Sequence, residues 1–265
     1  MYPKWRPFFR EDRDVDDYTS YGEYGPIRFN PELESSVEHI LQAIRDRGGV
    51  IHLAFLRRRL FTKFDATCIS LMQDGDPRYH AELWFGENVT NMVVHSEGVF
   101  LSSLPREEGV WELVRLPVTD VGLAFRLGVD IVRKCNRAKV HYDDHFWQNL
   151  EGGVCRACFR GDFWDRWVCG DDYDEERPET WRGVHCSQLV ALFLKRCVRR
   201  GVLPLPAGDR EFLLGTYTPT CLPRQLMDTV LRLWPGPVEV RDMGHIPQDL
   251  RLWWFGRDGL PPPDL

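Results

Sequence analysis

Apolar positions recur along this chain at two different periods, and the switch between them predicts a fold before any single residue is considered. In residues 36–47, Val37, Ile40, Leu41 and Ile44 fall at helical spacing, with Ser35 or Ser36 as the N-cap and Gly48-Gly49 as the stop. Residues 50–56, 66–72, 79–85, 91–95, 99–101 and 110–116 then read as short strands. Turn signals such as Asp74-Gly75-Asp76-Pro77 and Gly86-Glu87-Asn88 separate them. Strands so closely spaced suit an antiparallel sheet. Helical spacing returns at 119–138, capped by Thr119 or Asp120, with Val121, Ala124, Phe125, Gly128, Ile131, Val132 and Cys135 on one face. It returns again at 184–200, where Leu189, Val190, Phe193, Leu194 and Cys197 form the apolar face. Lys195, Arg196, Arg199 and Arg200 crowd that helix's last turns, complementing its dipole, and Gly201 ends it. A helix near 222–233 and a strand near 237–241 follow.

The order of helix, antiparallel strands, helix, long loop, helix and small elements predicts an α+β domain. It spans residues 36–245. Residues 1–35 read as a loosely packed N-terminal arm whose Trp5, Phe8 and Phe9 offer anchors on the body or on a protein partner. Residues 246–265 form a tail ending in an extended Pro261-Pro262-Pro263 run. Residues 141–182, dense in Trp, Asp and Gly, are long for a connection and read as an insertion.

Composition narrows the function. With 265 residues and 43% hydrophobic content the chain can bury one real core. A net charge of -6 speaks against a general nucleic-acid binder, and the short basic run Arg57-Arg58-Arg59 reads as solvated surface. No apolar run approaches the ~18 residues of a membrane span. The charged, aromatic N-terminus has no apolar signal core, so a cytoplasmic setting is expected, in a host cell or a virion if the source is viral. The eight cysteines are then expected to be mostly reduced.

One of those cysteines stands at a chemically special place. In Val184-His185-Cys186-Ser187-Gln188-Leu189-Val190, Cys186 opens an amphipathic helix, where unpaired N–H groups and the positive dipole end favour a thiolate. The same N–H groups can hold an oxyanion. Taken alone, a helical cysteine is far more often a packing residue. The strand Tyr79-His80-Ala81-Glu82-Leu83-Trp84-Phe85 supplies a base: His80 shares a face with Glu82 and Trp84, opposite Ala81, Leu83 and Phe85.

The run 79–88, continued by Met92-Val93-Val94-His95, resembles the histidine segment of the permuted NlpC/P60 superfamily, including its lecithin:retinol acyltransferase-like branch. Cys186-Ser187-Gln188-Leu189-Val190 resembles that superfamily's cysteine helix. Val140-His141-Tyr142-Asp143 and Tyr217-Thr218-Pro219 echo segments of YiiX-like members. Histidine before cysteine is the permuted order, and the resemblance covers roughly residues 48–235. It implies a circularly permuted papain-like fold with an antiparallel sheet packed against the cysteine helix. It also implies a Cys-His-His triad, with Cys186 as nucleophile, His80 as base and His95 as the orienting residue. Glu82 and His185 compete for the third role. The chain departs from the acyltransferase branch in its longer connection from His80 to His95, its Ser187-Gln188 and its lack of a C-terminal membrane helix.

The expected activity is that of a thiol hydrolase of peptidase or amidase type. It acts on a peptide, isopeptide, ester or thioester through a thioacyl intermediate and needs no cofactor. A catalytically silent structural or virion-associated protein on the same scaffold is one alternative, since large DNA viruses carry permuted relatives; a lipid acyltransferase or phospholipase is another. Cys155-Arg156-Ala157-Cys158, with Cys169 and His145 nearby, offers an alternative zinc site, although one CxxC is a modest signal. His52 and His245 belong to no recognisable constellation.

Overall fold

A computed structural model describes residues 19–20, 27–57, 75–86, 89–95, 98–102, 109–142, 183–215 and 222–243. In chain order the elements are β1 (Thr19–Ser20), β2 (Ile27–Phe29), α1 (Glu34–Asp46), β3 (Ile51–Arg57), β4 (Arg78–Phe85), β5 (Thr90–His95), β6 (Gly98–Ser102) and β7 (Gly109–Arg115). These are followed by α2 (Val121–Arg137), β8 (His141–Tyr142), β9 (Gly183–Val184), α3 (Cys186–Arg199), α4 (Ala207–Gly215), α5 (Pro223–Leu233) and β10 (Val238–Met243). This is a mixed α+β architecture built on one large antiparallel sheet, with strand order β1-β2-β6-β5-β4-β3-β7-β10. Short β8 and β9 pair in parallel beside it.

Period-two alternation divides the strands between two faces. Ile51, Leu53 and Phe55 of β3, Leu83 and Phe85 of β4, Met92 and Val94 of β5 and Val99 and Leu101 of β6 join the main core. The apolar sides of α1, α2, α3 and α5 contribute to the same core. Phe85 stands edge-on to Phe125 of α2 at 5.3 Å and to Phe193 of α3 at 5.6 Å, tying both helices to β4. A separate cluster of Ala54, Leu56, Trp84, Trp111 and Leu113 gathers the alternate positions of β3, β4 and β7.

The termini of the helices follow local chemistry. Asp120 caps α2, its Oδ1 accepting the Leu123 N–H at 2.9 Å. Gly48 and Gly49, both at positive φ, end α1 with returning bonds to Arg45 and Ile44. The start of α1 differs from expectation. Leu33 is the N-cap and Glu34 the first helical residue, so Ser35 and Ser36 lie inside the first turn, with Ser36 buried. The N-terminal arm is also less separate than its composition implied. Residues 27–29 add a strand to β6, and Phe29 is buried in the main core. Helix α4 was not foreseen, its nine residues carrying too short an apolar pattern to stand out. The expected strand at 66–72, most of the insertion and the tail lie outside the described residues.

Gly86 closes the β4–β5 connection at φ +67°, and a Cβ built there would lie 2.8 Å from Val89 Cγ2 and 3.1 Å from Ile44 Cα. Gly86→Ala is expected to cost about 1–3 kcal/mol, through left-handed strain and this contact. Denaturant unfolding checks it, a wild-type midpoint showing that the turn relaxes freely.

Candidate active site

Strand β4 and helix α3 bring the two expected residues together. Helix α3 packs on β4 and β5, and Cys186, its first residue, lies near enough to His80 for its sulfur to bear on the ring's protonation. The helix start is fixed by Gln188, whose Oε1 accepts the backbone N–H of the N-cap residue His185 at 2.8 Å. His185 is therefore a buried capping position.

The start of β4 is held from its other side. Pairing with β3 shifts between Leu56↔His80 and Arg57↔Arg78, so Tyr79 is an extra residue in a bulge beside His80. Bulges of this kind bend a strand and re-aim its side chains. Arg78 anchors the segment. Its Nε donates to Glu112 at 2.5 Å, its Nη1 to Asp76 Oδ2 at 2.7 Å and its backbone N–H to Asp76 Oδ1 at 2.9 Å. Trp111 lies edge-on to the His80 ring at 6.4 Å.

His80 Nε2 lies 3.0 Å from Glu82 Oε1. A carboxylate can only accept, so Nε2 carries the proton and the ring's tautomer follows from its partner. Glu82 is 1% exposed, and its other oxygen accepts from Asn91 Nδ2 at 2.5 Å and Trp84 Nε1 at 3.0 Å. Three N–H donors thus converge on one buried charge, as a charge removed from water requires. Glu82, offered by the sequence only as a competitor, makes the hydrogen bond to the ring. The paired register of β4 and β5 runs Phe85↔Thr90, Trp84↔Asn91, Leu83↔Met92. The side chain of His95 lies outside the described residues.

The electrostatics follow from the contacts. Burial pulls the His80 imidazolium down. The charge of the Cys186 sulfur, the hydrogen bond to it and then Glu82 outweigh that cost, so the ring holds its proton well above the ordinary histidine range. Cys197, in the same helix, is a contrast: it is fully buried, and burial alone pushes its thiol up.

Asn91, Trp84 and Arg78 were not singled out as functional from sequence. Asn91 sits in a strand otherwise rich in Val and Met, and a polar residue at a buried strand position was the available signal. Cys155, Cys158, Cys169 and His145, the alternative zinc ligands, lie outside the described residues, as does His245. Among the described residues no group of three or more His, Cys, Asp or Glu side chains could hold a metal ion, and no helix is long and apolar enough to cross a membrane. No family model, curated protein or solved structure matches this chain.

In an NMR titration the His80 ring is expected to titrate well above 6.5, and Cys186→Ala should lower its midpoint by removing both sulfur contributions. A raised folded value gives stability that is fully present below the unfolded value of about 6.5 and is lost as pH rises through the folded value. The melting-temperature advantage of wild type over His80→Gln should accordingly narrow in alkali. An unmoved midpoint in Cys186→Ala would mean that the sulfur does not act on the ring.

Proposed function

We propose that this chain is a thiol hydrolase of peptidase or amidase type on a circularly permuted papain-like scaffold, with Cys186 as nucleophile, His80 as base and Glu82 as the residue that orients the ring. The observation that carries this reading is His80 Nε2 held at 3.0 Å by the buried Glu82 carboxylate, with Cys186, the first residue of α3, near enough to act on the same ring. The order of elements, with the histidine strand preceding the cysteine helix and an antiparallel sheet beneath it, supports the scaffold.

The chemistry runs as follows. The Cys186 proton passes to His80, and the sulfur attacks the carbonyl carbon of an amide, isopeptide, ester or thioester. The carbonyl oxygen takes up the negative charge beside the positive, N-terminal end of α3, which favours an anion there. As the tetrahedral species collapses, His80 returns its proton to the leaving amine, alcohol or thiol, and a thioester on Cys186 remains. A water molecule then loses a proton to His80 and attacks the thioester; on collapse that proton goes to the departing sulfur and the acid is released. Glu82 stays ionised throughout and balances the imidazolium.

Wild type and Cys186→Ala are to be incubated with a thiol-directed acyl probe, and labelling read by mass spectrometry at the peptide containing residue 186. Strong labelling of wild type is expected, with loss in Cys186→Ala. In His80→Gln a fall of at least about 100-fold is expected, the usual contribution of a general base. Equal labelling of wild type and Cys186→Ala would remove Cys186 as the special nucleophile.

A further inference from the structure

The contacts of Glu82 continue beyond the oxygen that meets His80. Asn91 donates to Glu82 Oε2 through Nδ2, and its own Oδ1 accepts from Ser102 Oγ at 2.8 Å. Asn91 lies opposite Trp84 on β4 and opposite Ser102 on β6, so the chain of bonds crosses three neighbouring strands. Ser102 and Asn91 are both fully buried. Their direction is set by chemistry. A reversed Asn91 amide would turn its oxygen on a carboxylate and its NH2 on a hydroxyl that could no longer donate to it. The Ser102 hydroxyl therefore fixes the amide, and the amide, with Trp84 Nε1, fixes the plane of the carboxylate.

A glutamate side chain has three rotatable bonds, and a single partner at Oε1 would leave the group free to swing. Two donors on Oε2 remove that freedom. We propose that Asn91 and Ser102 are positioning residues that aim the Glu82 carboxylate at His80, keeping the ring's Nε2 protonated and its other nitrogen available to Cys186. This role rests on the reading of Cys186 and His80 as a thiol centre. It adds two residues that touch neither the sulfur nor the reacting carbonyl.

The test reads the His80 Nε2–H proton by NMR in the full chain without substrate. In wild type a ring N–H protected from solvent exchange is expected. Ser102→Ala and Asn91→Ala should speed that exchange by about tenfold or more, the scale of one net hydrogen bond, with the fold checked by circular dichroism. Thr90→Val is the control. It removes another buried hydrogen bond, from Thr90 Oγ1 to the Ser102 carbonyl at 2.9 Å, without touching the chain to Glu82, and should leave the proton protected. If Asn91→Ala does not fold, Ser102→Ala decides. Wild-type exchange in the folded Ser102 and Asn91 variants, an equal effect of Thr90→Val, or no protected ring N–H in wild type would each overturn the role. Failure of the hydrolase reading would show separately, as equal probe labelling of wild type and Cys186→Ala.

Discussion

The arrangement around His80 depends on a carboxylate buried within a sheet. Glu82 cannot keep a charge away from water unless donors replace the lost hydration, and removing one partner of such a buried pair costs about 3–5 kcal/mol. That requirement links residues with no other reason to be associated. Trp84 and Asn91 must turn their N–H groups inward, and His80 completes the set. The histidine is thereby aimed by a rigid strand and a fixed tautomer, which are conditions for proton transfer at a defined place.

Two cysteines of one helix show how position decides chemistry. Cys186 opens α3 and meets an imidazole; Cys197 lies near its other end, enclosed by apolar side chains. Burial without a charged partner favours the neutral thiol at Cys197. Phe193 and the apolar face of α3 pack the helix onto β4 through Phe85, on the side of the strand opposite His80 and Glu82.

Much of the framework is legible in the chain itself. The apolar spacing of α1, α2, α3 and α5 and the alternation of β3 to β7 place those elements to within a residue or two, because each must bury one face and the period of its pattern reports which. Capping is less legible. Asp120 acts as expected, yet Ser35 and Ser36 are passed over in favour of Leu33, whose side chain makes no cap bond. The turn into α1 is settled by burial of Ser36 and Val37, which outweighs a local hydroxyl. Strand β2 was hidden in a charged arm because it is only three residues long, and its partner β6 lies far away along the chain.

By itself the sequence determined which residues form most of the helices and strands, that the domain is α+β, and that a thiol, Cys186, stands at the start of a helix while an imidazole, His80, stands on a strand. Those properties are local, set by spacing and by side-chain type. Only the tertiary structure decided that the two meet, that Glu82 bonds the ring, and that Asn91 and Ser102 stand behind it. Such pairings depend on strand register and on how a helix lies across a sheet. Both are decided by the packing of the entire core, and no local window of sequence contains that information.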